Sequence, residues 1–147
     1  METIGRLIQR ASHQLSRNFD RFAKPYGLTG TQVAIIDFLS RGEKDLYLQR
    51  DIEQEFHIQR STTTVLLQGM EKKGLITRQT LASDARQRSV HLTEKSKSLA
   101  QDCLQYFAAE EARLQSRFTA QERDHFQAIL HFIIQGGTND NPTRDGL

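Results

Sequence analysis

Tryptophan is absent from this chain, and cysteine and proline nearly so: one Cys and two Pro among 147 residues. A single thiol excludes any disulfide within the chain, so a reducing compartment, the cytoplasm, is the expected location. No apolar run approaches the length needed to cross a bilayer, and no membrane partner is expected. The opening METIGRLIQRASHQL reads as too polar and too regularly patterned for a signal peptide. Nucleotide-binding glycine loops, nucleophile elbows and metalloprotease motifs are missing as well, so no enzyme is expected. Asp84 and His91 with a serine would make a hydrolytic triad only by coincidence, because a turn aspartate and a strand histidine explain both. The histidines (13, 57, 91, 125 and 131) include no pair three or four apart. No metal site or other cofactor is therefore expected on one helix, although ligands from separate elements leave zinc open.

What is present centres on Ile58 to Thr93. Thr63, Leu66, Leu67 and Met70 recur at the spacing of one buried helical stripe. The opposite face carries Arg60, Ser61, Thr62, Thr64, Val65 and Gln68. Apart from the first, these are small or hydrogen-bonding groups where a partnerless surface helix would show Glu and Lys. Such a face suits a helix lying in the DNA major groove and reaching base edges, with Val65 able to pack on a thymine methyl. Lys72 and Lys73 suit the last turn, and Gly74 supplies a left-handed stop. Leu75–Thr80 and Ser89–Leu92 then alternate as short strands around a turn, Ser83 to Arg88, whose Asp84 can close it. Between 58 and 88 six cations (Arg60, Lys72, Lys73, Arg78, Arg86, Arg88) face two acids (Glu71, Asp84), a local balance of +4 in a chain of +2. Positive charge is thus gathered on one unit, as a phosphate-binding surface requires. Lys72, Lys73, Arg78 and Arg88 are the expected phosphate contacts.

Met70-Glu71-Lys72-Lys73-Gly74-Leu75-Ile76-Thr77-Arg78 and Asp84-x-Arg86-x-Arg88, followed by Leu92-Thr93, resemble in order and spacing the MarR family of winged-helix regulators. The resemblance extends from about residue 4 to 135. It implies that the 60–73 helix reads the major groove while Arg86, at the wing tip, enters the minor groove, oriented by a salt bridge from Asp84. Val65 stands where the family often has Arg, so its base preferences are not carried over. Ser96 replaces a Gly common after the Leu-Thr pair.

Flanking this unit are helices with apolar seams. From about Thr3 to Phe22, Ile4, Leu7, Ile8, Ala11, Leu15, Phe19 and Phe22 step by three and four before Pro25 and Gly27. Thr29 and Gln32 form a capping box for a helix whose Val33, Ile35, Ile36, Phe38 and Leu39 are nearly all core. Leu48, Ile52 and Phe56 mark the next helix, which pairs with 60–73 as a helix-turn-helix. After the wing a long helix carries Leu99, Cys103, Phe107 and Leu114. Thr119 and Glu122 then cap a last one striped by Phe126, Ile129, Leu130 and Ile133.

The expected fold is mostly α with a small β-wing. A winged helix-turn-helix over about 29–92 sits between dimerisation helices at about 3–24 and 93–135, a single domain spanning 1–135 with a disordered tail at 136–147. The dimer would form through Ile4, Leu7, Ile8, Ala11, Phe126, Ile129, Leu130 and Ile133, although a core helix of a monomer would show the same first seam. Two reading helices then predict a homodimeric repressor on double-stranded, pseudo-palindromic DNA. The resemblance implies a small aromatic or amphipathic effector between dimer helices and reading unit, with His13, Arg17 and Tyr106 as candidates. Two alternatives stay open: a redox sensor through Cys103 or a metal-responsive sensor on the same fold, and a winged-helix protein-interaction module.

Overall fold

The computed structural model describes residues 1–136, so all but the first residue of the expected tail lies outside the described part. Its elements are α1 (Ile4–Ala23), α2 (Gly30–Ser40), α3 (Gln49–Phe56), α4 (Arg60–Lys72), β1 (Ile76–Thr80), β2 (Arg88–Leu92), α5 (Glu94–Arg117) and α6 (Ala120–Ile134). This is the mostly helical, winged architecture the sequence predicts. Backbone contacts form two compact units, Met1–Leu104 and Gln105 onward.

In the first unit, each helix begins or ends where a side chain or a turn residue can take over from the helix's own hydrogen bonds. The Thr3 hydroxyl accepts the Arg6 N–H at 3.3 Å to start α1, and a 3-10 turn at Lys24–Tyr26 ends it with Pro25 inside. The Tyr26 hydroxyl donates to the Asp102 carboxylate at 2.6 Å. That bond, with burial and the carboxylate charge behind it, pushes the phenol up to about 12. At the start of α2, Thr29 Oγ1 accepts from Gln32 N–H and Gln32 Oε1 accepts from Thr29 N–H, both at 3.1 Å. Thr29→Ala removes half of this box, so a loss of about 1 kcal/mol is expected in urea denaturation with an unchanged slope. Gly30, next in line, donates to Asp20 Oδ1 at 2.8 Å. A Cβ there would sit 2.5 Å from that oxygen and 3.1 Å from the Asp20 backbone nitrogen, so alanine would displace the Asp20 carboxylate that takes this bond.

Helix α2 is apolar nearly all round because it is buried nearly all round. Its Val33, Ile35 and Ile36 join Ile52, Leu67, Met70, Ile76, Val90 and Leu99 in the core of this unit. Between α3 and α4 the chain turns through His57 in the left-handed region (φ 50°), with the Ile58 N–H on the Glu53 carbonyl at 3.1 Å. Gly74 (φ 73°) stops α4 in the conformation that a side chain resists. The wing strands are antiparallel, in register from Ile76 opposite Leu92 to Thr80 opposite Arg88. Tyr47 and Leu48 extend this ribbon: Leu48 bridges Ser89, and the Val90 N–H reaches the Tyr47 carbonyl at 2.9 Å.

The second unit holds the rest of α5 and α6. Thr119 and Glu122 make a full capping box, the N–H bonds being 3.0 and 3.1 Å. The Thr119 N–H and the Thr119 hydroxyl, at 3.0 and 3.1 Å, both donate to Glu122 Oε1 and hold its carboxyl below its usual range. No residue of α6 is buried, and Phe126, Ile129 and Ile133 stand 57, 49 and 45 % exposed.

Candidate nucleic-acid interface

Thr63, Leu67 and Met70 turn the inner side of α4 into the core; the Thr63 hydroxyl is satisfied there by the Gln59 carbonyl at 3.0 Å. The outer side leaves Arg60, Ser61, Thr62, Val65 and Gln68 exposed. No side chain caps the helix at Gln59, so its first N–H groups look outward, a position that favours phosphate.

Thr64 belongs to neither side. Its hydroxyl donates to the Arg60 carbonyl and accepts from Gln49 Nε2, both at 2.9 Å. Its proton and one of its two lone pairs are thus engaged within the protein, where a free hydroxyl was expected.

The wing hairpin rises beside this helix. Asp84 closes its turn twice, Oδ1 accepting the Arg86 N–H at 3.0 Å and its carbonyl accepting the Gln87 N–H at 3.1 Å. The salt bridge implied from Asp84 to a wing arginine does not form: no ion pair joins Asp84 to Arg86 or Arg88 among the described residues. The carboxylate is occupied by backbone instead, because the tight turn brings the Arg86 N–H back to it. The Arg86 carbonyl accepts from Arg60 Nη2 at 3.3 Å, fastening the tip to α4. The guanidinium of Arg86 itself is exposed and, like Arg88 and Lys72, makes no bond within the described residues.

Two cations expected on phosphates are committed elsewhere. Arg78 donates from Nε to Glu71 at 2.5 Å and from Nη1 to Gln49 Oε1 at 3.3 Å, with its side chain only 5 % exposed. Lys73 donates to the Gly27 carbonyl, while its own carbonyl accepts from Lys95 Nζ at 2.8 Å. Each sits where α4 meets another element, but only Arg78 is withdrawn from solvent; Lys73 stays exposed while it bonds the Gly27 carbonyl.

Between α3, α4 and the wing lies a cleft of about 460 Å³ lined by Arg50, Arg60, Arg78, Arg86 and Arg88, against the acids Glu53 and Asp84. Arg50 was not among the expected contacts. Its position on the first turn of α3 was the available signal, but the pattern there only distinguishes inside from outside.

None of the remaining candidates lines this cleft. Ile4, Leu7 and Ala11 of α1 are exposed and Ile8 is half-buried, as is Leu130 of α6. Leu114, on the expected stripe of α5, is exposed, and Phe118, Phe132 and Ile134 add exposed apolar area that was not anticipated. His13 and Arg17 are exposed on α1, Arg17 donating to Gln14 at 2.9 Å. Tyr106 belongs to the second unit, half-buried and edge-on to Phe107 at 5.5 Å. Among the described residues no three His, Cys, Asp or Glu side chains converge to hold a metal.

Cys103 is fully buried, and burial, with Asp37 and Asp102 behind it, pushes its thiol up to about 12. A thiol held in that way stays protonated near neutral pH and is a poor nucleophile. Native protein treated with iodoacetamide at pH 7.5 is therefore expected to gain no adduct by intact mass, and one adduct once unfolded in urea.

A family model described as MarR family matches residues 26–87. No curated protein matches the chain. Among solved structures, Staphylococcus aureus MepR in its DNA-binding conformation is 25% identical with a TM-score of 0.81, covering 91% of this chain and 98% of its own. The S. aureus MepR–DNA complex, at 24% identity and TM-score 0.82 over 92% of this chain and 98% of that one, shares the fold. The transcription regulator MarR from Oenococcus oeni PSU-1 has a TM-score of 0.73. Because that relative is 44% identical over 90% of this chain and 99% of its own, the present chain belongs to the MarR family of transcription regulators.

Proposed function

We propose that this protein is a homodimeric, sequence-specific repressor that binds double-stranded DNA and is released from its operator by a small ligand. One observation carries the reading: an uncapped helix with an exposed polar face stands across an arginine-lined cleft from a wing whose Arg86 guanidinium has no partner within the described residues. The likeness to a MepR–DNA complex supports it at the level of fold. Ser61, Thr62, Val65 and Gln68 read base edges in the major groove, and Arg86 reaches the minor groove. Lys72, Arg88 and Arg50 hold phosphates, which positions the protein without selecting sequence. Asp84 shapes the wing tip through the Arg86 backbone.

Helices 3–24 and 93–135 of two copies bury one another's apolar seams and set the distance between two reading helices, 29–92 being the reading unit. A small aromatic or amphipathic effector releases the DNA by favouring a different distance, as only differential affinity for the two arrangements can. The protein works in the cytoplasm, beside the DNA it controls.

Selection from a pool of random duplexes, followed by footprinting and a salt titration, tests this. The expected product is a pseudo-palindrome with half-sites about one helical turn apart, preferred about a thousandfold over a scrambled duplex. Equal affinity for both duplexes at every salt concentration would leave only the attraction of a basic surface for any polyanion, and the reading would fail.

A further inference from the structure

We infer that Gln49, Arg78 and Glu71 are positioning residues that fix the wing against the recognition helix and thereby set sequence preference rather than affinity. This rests on the DNA-binding reading above.

With Thr64 these residues form one continuous path of four side chains across three elements. Thr64 on α4 is bonded to Gln49 on α3 at 2.9 Å, Gln49 to Arg78 on β1 at 3.3 Å, and Arg78 to Glu71, back on α4, at 2.5 Å. Thr64 and Glu71 are two helical turns apart, about 10 Å along the axis. The path therefore braces β1 against α4 at two heights, and α3 is locked in between. Every bond in it restricts the wing from sliding or rotating along the helix. A slide of one turn would separate the Arg78 guanidinium from Glu71 while leaving it almost without solvent, an arrangement buried charge does not tolerate.

Among the described residues one side-chain link joins α4 to the hairpin nearer the tip, Arg60 to the Arg86 carbonyl, and it is exposed and 3.3 Å long. The angle of the hairpin is thus decided at its base. Phosphate attraction acts over a Debye length and tolerates a displaced arginine. Hydrogen bonds to base edges do not, because major-groove readers and the wing arginine must be in register with the same stretch of duplex. Loosening the brace therefore reduces binding to the preferred sequence and spares binding to DNA in general.

The test uses the full chain, a duplex selected from a random pool by the wild type, and a scrambled duplex of the same composition. Glu71→Gln removes the charge that holds Arg78, and Gln49→Leu removes both hydrogen bonds of the side-chain amide while keeping the ion pair. Fluorescence anisotropy over a salt series is expected to show about a tenfold loss on the selected duplex for each variant. On the scrambled duplex the change stays within about twofold, with an unchanged salt slope. A merely structural role would reduce the folded fraction and lower both affinities by one factor; that result overturns the inference, and so does a preference untouched in both variants. Should Glu71→Gln fail to fold, Gln49→Leu decides alone, and unfolding of both counts against the inference. A wild type that selects no sequence defeats the DNA-binding reading first, before any variant is compared, and this inference falls with it.

Discussion

Arg86→Ala is expected to lower affinity for the selected duplex about ten- to a hundredfold while the protein remains a dimer, the range that follows from about 1–3 kcal/mol for a good base contact. The effect is that large because nothing in the described protein competes for this side chain. Its N–H is held by Asp84 and its carbonyl by Arg60, so the backbone is fixed while the guanidinium stays free. Binding then requires little reorganisation at the tip, and the substitution leaves no buried group unsatisfied. Stability should hold within about 0.5 kcal/mol, as for other exposed positions. The salt slope should fall by about one, because one cation leaves the interface. Anisotropy on selected and scrambled duplexes, with sedimentation velocity on the same samples, separates the outcomes. Unchanged affinity would remove the wing from the interface, whereas loss of the dimer would place Arg86 in subunit contact instead.

Ile129→Arg with Ile133→Arg is the other change of large effect. Both residues are about half exposed on a helix with no fully buried residue in the single chain, so two cations there disturb no core. They would instead meet the apolar seam of a second copy, where an unpaired charge loses its water without gaining a partner. Monomers are the expected result by sedimentation equilibrium at micromolar concentration, with far-ultraviolet dichroism unchanged. Because two half-sites bound together gain from effective concentration, affinity for the pseudo-palindrome should fall by about a hundred- to ten-thousandfold, and a single half-site should be nearly indifferent. A variant that stays dimeric would move the interface away from α6. A variant that unfolds would show that this stripe packs within one chain.

The two changes are expected to differ in what they leave behind: on the proposed reading Arg86→Ala would leave a dimer without its wing contact, and the α6 pair a reading unit without a second copy. Measured together, they distinguish failure to recognise from failure to assemble.

Much of the fold was legible in the chain because its determinants are local. Thr63, Leu67 and Met70 share a face within two turns, and the structure buries all three. The boxes at Thr29–Gln32 and Thr119–Glu122 were visible as spacing three residues wide, and both close. The tight connection near His57–Ile58 was expected from the helices on either side, but the left-handed conformation of His57 carried no such signal, since it occurs without glycine. The Leu48–Ser89 bridge was hidden for another reason: two residues are too few to show a period.

The candidate site divides along the same line. Exposure of Ser61, Thr62, Val65 and Gln68 followed from the buried stripe opposite them. Arg78, Lys73 and Thr64 carried the right chemistry for DNA and were read as contacts, yet the fold turns each toward protein. Gln49, which draws two of these groups together, looked like an outer residue of α3.

The sequence by itself determined where helices start and stop, which faces are apolar and where positive charge accumulates, since each depends on neighbours within a few positions. Only the tertiary structure decided which cations remain free for a partner. Lys73 finds its carbonyl 46 residues away and Arg78 its amide 29 residues away, distances that no local period encodes. Hydrogen bonding acts over about 3 Å of space, whatever the separation along the chain.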